Sequence, residues 1–221
     1  MIIVIDGPAG SGKSSTAKKI AELLDIQYLD SGALYRALTY LWLMNDKPDL
    51  PEFFKILPGV KLDAEYRNQT FIINVNGEDI TKDIRTQQVA NHVSEMAAQP
   101  EARKFVNQYM RKLVMSDAYI ADGRDLGTAV FPDADLKFYM IASLEERAKR
   151  RYRELISDDP SISFEEVKDN LKNRDHQDSS RAADPLKKDE NAILIDTTGK
   201  TFEEQIDEMV GIIRDKIKLK Q

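Results

Sequence analysis

The sequence has no cysteine. Disulfides, thiol nucleophiles and cysteine-ligated zinc are therefore excluded. Histidine is nearly as scarce: His92 and His176 are the only two, which disfavours a multi-histidine metal cage. No apolar run approaches the ~20 residues that a membrane-spanning helix needs. The opening Met1-Ile2-Ile3-Val4-Ile5 has no basic segment and reaches Asp6 and Gly7 too soon for a secretory signal. The expectation is a cytoplasmic protein with no membrane partner. Positive charge is not in excess either. With 32 lysines and arginines against 38 aspartates and glutamates, the net charge is −6. That argues against broad nucleic-acid binding, which is driven by phosphate neutralisation, and leaves room for a local basic cleft.

What is present is a balanced globular composition, 42% hydrophobic and 32% charged over 221 residues, enough for one large domain with insertions. Ile2 to Ile5 is a short β-branched run of the kind found in strands buried on both faces. A helix is expected from about Lys13 to Asp25, where Ala17, Ile20, Ala21 and Leu24 share one face. Gln27 to Leu29 reads as a second strand, and Asp30-Ser31-Gly32 turns into a helix bearing Leu34, Leu38, Leu41 and Trp42. Residues 45–61, with Pro48, Pro51 and Pro58, read as irregular. From about Val60 to Ile84 the pattern becomes that of an antiparallel insertion, with a strand at Thr70 to Val75 and a hairpin signal at Asn76-Gly77. Thr86 can cap the next helix and Pro100 can open another. Tyr119 to Ala121, Leu136 to Ile141 and Ala192 to Ile195 read as strands. Helices are expected over about Leu144 to Ile156 and Phe164 to Asn173, and after the capping-box pair Thr201 and Glu204. Ser157 to Ser163 and Asp175 to Asp189 are polar and turn-rich and read as mobile. Alternating strands and helices predict an α/β fold with a parallel sheet.

Gly7-Pro8-Ala9-Gly10-Ser11-Gly12-Lys13-Ser14 matches G-x-x-x-x-G-K-[ST]. Glycines let backbone N–H groups converge on phosphate oxygens, the lysine reaches the outer phosphates, and the hydroxyl suits Mg²⁺. The motif follows a buried strand and opens an amphipathic helix, whose positive end adds to the anion site. It points to a nucleoside triphosphate held by its phosphates, and says nothing of what happens next.

Arginines suggest a second anion site. Arg36 lies one turn into the helix after Asp30-Ser31-Gly32 and can hold a phosphate bidentately. Arg85, Arg103, Arg124, Arg174 and Arg181 all fall near loops or helix ends. Singly, each reads first as a surface ion pair. Arg124 is the best of them, because it follows a buried strand and α/β sheets bind ligands at the carboxyl ends of strands. Arg147, Arg150 and Arg151 share one helix face, with Lys149 and Arg153 on another. They read either as a solvated helix paired with Glu145, Glu146 and Glu154, or as a hinged lid that closes over a transferred phosphoryl group and excludes water.

Taken together, these residues resemble the bacterial cytidylate kinases over nearly the whole chain. The resemblance rests on Ile5-Asp6-Gly7-Pro8, on Leu29-Asp30-Ser31-Gly32-Ala33-Leu34-Tyr35-Arg36 and on Ile84-Arg85-Thr86 with Val89-Ala90. It continues through Ala121-Asp122-Gly123-Arg124-Asp125-Leu126-Gly127-Thr128, Val130-Phe131-Pro132-Asp133-Ala134, Glu146-Arg147-Ala148, and Arg174-Asp175 with Asp178 and Arg181. It implies a three-layer P-loop NTPase core with a parallel sheet, a monophosphate-binding region over about 30–110 with the antiparallel insertion at about 60–84, and a helical lid over about 145–185. The implied reaction moves the γ-phosphoryl group of ATP to CMP or dCMP. By the same resemblance Gly7, Pro8, Ala9, Gly10, Ser11, Gly12, Lys13, Ser14 and Ser15 bind ATP. Ser31, Arg36 and Arg124 hold the acceptor, and Ser94, Arg103 and Asp125 read cytosine. Arg174, Asp178 and Arg181 contact ribose and phosphate. Lys13, Arg124, Arg147, Arg150 and Arg151 are the implied catalytic set. A carboxylate such as Asp125 can accept from the exocyclic amine of cytosine and disfavours the carbonyl that uracil places there. Mg²⁺ is the implied cofactor, held by Ser14 and by Asp122, directly or through water. The family also implies a monomer whose partners are small nucleotides and not nucleic acid.

Three other readings are distinguishable. UMP or AMP as acceptor would change only the base pocket. Asp196-Thr197-Thr198-Gly199 fits the D-x-x-G of a GTPase switch, but it follows the last strand and no N-K-x-D motif accompanies it. A nucleic-acid-stimulated ATPase fits poorly with the short chain and the negative charge.

Overall fold

The structure is a computed structural model that describes residues 1–115, 117–157 and 160–218. In chain order its elements are β1 (Ile2–Asp6), α1 (Lys13–Leu24), β2 (Gln27–Asp30), α2 (Ser31–Met44), α3 (Leu50–Ile56), β3 (Leu62–Arg67), β4 (Thr70–Val75), β5 (Glu78–Asp79), α4 (Gln87–Ala97), α5 (Pro100–Leu113), β6 (Tyr119–Asp122), β7 (Leu136–Ile141), α6 (Leu144–Leu155), α7 (Phe164–Ser180), β8 (Ile193–Asp196) and α8 (Phe202–Lys218).

Five strands form a parallel sheet in the order β2-β6-β1-β7-β8. The β-branched run of β1 lies in the middle, and both β1 and β6 are buried almost throughout. Such burial requires helices on both faces, the three-layer arrangement of parallel sheets. The register sets the site. Asp122 of β6 stands opposite Ile5 on one side and Asp30 of β2 on the other. Asp6, Asp30 and Asp122 therefore leave the sheet side by side at its carboxyl edge, where α/β sheets bind ligands.

The antiparallel insertion is present as β3-β4-β5. Asn76-Gly77 makes the β4–β5 turn with both residues at positive φ, as its sequence predicts. Asn68-Gln69 makes the β3–β4 turn in the same conformation. The insertion is fastened to the main sheet by aromatics: Tyr66 and Phe71 meet Tyr28 of β2 edge to face. Thr86 caps α4 through the Val89 N–H, and Thr201 and Glu204 exchange hydrogen bonds with each other's backbone N–H groups at the head of α8.

Two expectations are corrected. Residues 45–61 are not all irregular. Pro51 stands in the first turn of α3, where its fixed φ favours a helix, and Phe53 is fully buried. The stretch from Asp175 is not a loose loop at its start, because α7 runs on to Ser180. Its early turns bury Val167 and Leu171, but its last turn turns Asp178 inward to an arginine. An ion pair gives no apolar periodicity to read. Residues 158 and 159, within the stretch Ser157 to Ser163, lie outside the described residues.

Helices α6 and α7 share a small hydrophobic cluster of their own, in which Ala148, Val167 and Leu171 pack with Ala9 of the glycine-rich turn, apart from the main core. No helix among the described residues is long and apolar enough to cross a membrane.

Candidate active site

The chain leaves β1 through a turn that only glycine permits at two points. A Cβ on Gly7, whose φ is +148°, would lie 2.0 Å from the Met140 carbonyl oxygen of β7. Gly12 enters α1 from the left-handed region at φ 93°. Lys13 is buried, and its Nζ donates to the Pro8 carbonyl at 2.7 Å and to Ser11 Oγ at 3.3 Å. Burial and the nearby Arg124 push its ammonium well below the usual lysine range. Anionic phosphate oxygens reverse that penalty, so the site favours a polyanion. Beside the turn lies an open cavity of about 550 Å³ whose walls include Gly12, Lys13, Ser14, Ser15, Arg150 and Lys200.

Two hydroxyls hold Asp122 from opposite sides. Ser14 Oγ donates to one carboxylate oxygen at 2.7 Å and Tyr28 OH to the other at 2.6 Å. Burial and Asp30 raise the pKa of this carboxyl. Among the described residues no group of three or more acidic or histidine side chains converges on a metal position. A single hydroxyl and a single carboxylate suit a hard cation that takes its other oxygens from phosphate and water, the habit of Mg²⁺.

A second cavity of about 220 Å³ opens on the other side of Ser14 and Arg124, which line both. Its lining includes Ser31, Arg36, Arg85, Ser94, Asp125, Arg174, Asp178 and Arg181. Charges along it alternate. Asp184 accepts from Arg103 Nε at 2.7 Å, and Arg103 pairs with one oxygen of Asp125. The other Asp125 oxygen pairs with Arg181 at 2.6 Å, Arg181 lies 3.6 Å from Asp178, and Asp178 accepts from Arg124 at 2.9 Å. Burial opposes ionisation of Asp178, but Arg124 and Arg181 outweigh it and hold its pKa below the usual value.

Arg174 is under opposite stress. Burial, then the like charges of Arg124, Arg36 and Arg151, push it down to about 10, although Asp178 resists. Its buried Nε has no hydrogen-bond partner. Arg36 is lowered as well, by burial first and then by Arg85. Guanidiniums that are crowded and incompletely paired make a ready receptor for a phosphate dianion.

Comparison with known proteins decides the family. The family model described as "Cytidylate kinase" matches residues 3–215. A cytidylate kinase of Carboxydothermus hydrogenoformans is 41% identical over 230 aligned positions that cover 98% of each chain. The chain belongs to the cytidylate kinase family. Membership makes it an enzyme, a CMP kinase. The crystal structure of an uncharacterised protein from Eubacterium ventriosum shares the fold, with a TM-score of 0.55 at 12% identity over 97% of this chain and 98% of that one.

Within this cytidylate kinase fold, most of the expected site residues converge. Gly10, Gly12, Lys13, Ser14, Ser15, Arg150 and Arg151 line the larger cavity. Ser31, Arg36, Ser94, Asp125, Arg174, Asp178 and Arg181 line the smaller, and Arg124 lines both. Gly7, Pro8, Ala9 and Ser11 belong to the glycine-rich turn without lining either cavity, and two arginines stand elsewhere. Arg103 is behind the wall, almost fully buried and bonded to Asp125, Asp184 and the Ala97 carbonyl. Arg147 shares its helix face with Arg150 and Arg151 but does not line the cavity with them. Its guanidinium donates to the carbonyls of Ala142 at 3.0 Å and Ala9 at 2.8 Å, and to Asp175 at 2.6 Å. It lies where α6 meets the glycine-rich turn, one turn in from the Ser143 cap, so the backbone takes its donors.

Several contributors gave no sequence signal of their own. Tyr28 reads as a strand residue and Asp30 as part of the turn into α2, whose N-terminus it caps through the Ala33 N–H. Asp30 further accepts from Arg85 at 2.7 Å. Thr197 receives both terminal nitrogens of Arg150, through Oγ1 and through its carbonyl. The D-x-x-G stretch is thereby accounted for: Asp196 accepts from the Thr198 N–H of its own turn, beside the glycine-rich turn.

Proposed function

We propose that this enzyme transfers the γ-phosphoryl group of ATP to CMP or dCMP, giving ADP and CDP or dCDP. The observation that carries the reading is that Ser14 and Arg124 line both cavities, so a donor in one meets an acceptor in the other at those two side chains. In this reading the glycine-rich turn, Gly7 to Ser15, holds the ATP phosphates, with Lys13 on the outer ones. Arg36, Arg124 and Arg174 hold the acceptor phosphate with Ser31. Ser94 and Asp125, backed by Arg103, face the cytosine amine, and Asp178 and Arg181 face the sugar. An acceptor phosphate oxygen bonds to the γ-phosphorus as the bond to the β–γ bridging oxygen breaks, and ADP leaves. The attacking oxygen is already anionic, so positioning and charge stabilisation suffice and no general base is needed. Ser14 and Asp122 are the residues that would hold Mg²⁺. Bound there, the ion would supply positive charge that offsets the charge of the transferred phosphoryl group.

Residues 145–185 act as a lid that carries Arg150 and Arg151 over the transferred group and excludes water. The separate cluster of α6 and α7 supports that division, with residues 30–110 forming the acceptor side. The enzyme acts as a monomer in the cytoplasm and serves pyrimidine nucleotide metabolism.

The test is ADP production from Mg-ATP with CMP, dCMP, UMP, AMP, GMP and dTMP, each repeated with Lys13→Ala. Turnover with CMP and dCMP well above the rest, abolished in the variant, is expected. A different preferred acceptor would displace the roles of Ser94, Arg103 and Asp125. No turnover with any monophosphate would overturn the phosphoryl-transfer reading.

A further inference from the structure

Asp184 belongs to none of the motifs above, yet it holds both arginines that flank Asp125. Its carboxylate accepts from Arg103 Nε at 2.7 Å. Its backbone carbonyl accepts from Arg181 Nε at 2.8 Å and Nη2 at 2.6 Å. Those arginines then take different oxygens of Asp125, Arg103 on Oδ2 and Arg181 on Oδ1. The plane of the Asp125 carboxylate is thus fixed from both sides by groups that Asp184 fixes in turn. The arrangement costs backbone freedom, because Asp184 is a non-glycine residue at φ 45°. Such conformations cluster at functional sites. The loop that carries Asp184 follows α7 and is closed by the Leu186 N–H bonding back to the Asp178 carbonyl.

The side chain has little to do with core packing. Asp184 is 37% exposed, whereas the Arg103 side chain it binds is 2% exposed. A guanidinium that deep needs its donors satisfied, and Asp184 supplies the acceptor for Nε. Without it, Arg103 can rotate on its remaining bonds to the Ala97 carbonyl and Asp125 and draw the Asp125 carboxylate with it.

We propose that Asp184 is a positioning residue for base selection: acting through Arg103, it holds Asp125 so that its oxygens meet the exocyclic amine of a 4-amino pyrimidine. The proposal rests on the acceptor pocket assigned above.

The experiment is steady-state kinetics with CMP and UMP at saturating Mg-ATP for Asp184→Gly, Asp184→Asn and Asp125→Asn, with thermal unfolding of each. Glycine removes the carboxylate without a penalty at positive φ. Asparagine keeps both an acceptor and tolerance of that φ. For Asp184→Gly the KM for CMP should rise about tenfold, as loss of a charged hydrogen bond predicts. The kcat should change less than about twofold, and the CMP-over-UMP ratio in kcat/KM should fall about fivefold or more. Asp184→Asn should restore most of both. An unchanged CMP-over-UMP ratio in Asp184→Gly, or an equal loss of kcat with both substrates that tracks a lower melting temperature, would overturn the proposal. If Asp125→Asn raises the KM for CMP while Asp184→Gly does not, the pocket stands and only the role of Asp184 falls. If Asp125→Asn leaves the KM for CMP unchanged, the base lies elsewhere and both fall.

Discussion

Ser14 Oγ donates to Asp122 Oδ2 at 2.7 Å across 108 positions of sequence. The bond joins the first turn of α1 to the carboxyl end of β6, and Tyr28 fixes the other oxygen. In the proposed reaction this carboxylate, oriented by two hydroxyls, is one of the two groups that would hold Mg²⁺. Asp122→Asn should raise the Mg²⁺ concentration for half-maximal rate by about 10- to 100-fold, the scale for a residue that orients or holds a bound ion. Affinity for ATP in EDTA should stay within about twofold of the wild type. Titration calorimetry with and without Mg²⁺ separates the two. An unchanged Mg²⁺ requirement would remove Asp122 from the metal site.

Arg147 and Asp175 grip the same residue from two sides. Ala9 donates its N–H to Asp175 at 3.0 Å and offers its carbonyl to Arg147 at 2.8 Å, and the two side chains pair at 2.6 Å. The pair therefore shapes the glycine-rich turn from the side of α6 and α7. Arg147→Lys keeps a charge but loses the fork that reaches three acceptors. Breaking a largely buried pair of this kind should cost about 3 kcal/mol, or about 6–12 °C of melting temperature in a chain of this size. The KM for ATP should rise in step. A variant with wild-type stability and kcat lowered about a hundredfold would place Arg147 on the phosphoryl group instead.

The difference between Arg147 and Arg150 shows how far the sequence reaches. Helical spacing correctly put both on one face of α6, but spacing cannot say that the face meets a backbone turn at one end and a cavity at the other. The glycine-rich turn was legible because its chemistry is local, from Gly7 to Ser14. So was Asp122, since a buried strand ends there. The pairing of Arg103 with Asp184 was not, because it joins residues 81 apart in sequence and neither lies in a periodic pattern with the other. The last turn of α7 escaped for a related reason: Asp178 faces inward on an ion pair, and hydrophobic periodicity reports only apolar burial. Pro51 misled in the opposite sense, being read as a breaker where it opens α3.

Asp6 carries a pH dependence that can be followed directly. Its carboxylate accepts from the Leu126 N–H at 2.9 Å and the Gly127 N–H at 2.7 Å. It so braces the turn that bears Arg124 and Asp125. Burial raises its pKa from the ordinary 3.8 to about 6, with the two N–H groups offsetting only part of the cost. The folded state then binds this proton more tightly than the unfolded chain. The contribution to stability is fully present below about pH 4 and is lost as pH rises through about 6. A rise of this size is worth on the order of 3 kcal/mol. Carbon-13 titration of the Asp6 carboxyl should show a midpoint near 6. Asp6→Asn should flatten the fall of unfolding free energy between pH 4 and 7 by about 3 kcal/mol. It should also lower turnover, because an amide can accept only one of the two N–H bonds and turns its own NH₂ toward the other. A midpoint near 4 with an unchanged pH slope in the variant would mean that water reaches this carboxylate, and the brace would then hold the turn without any titration cost.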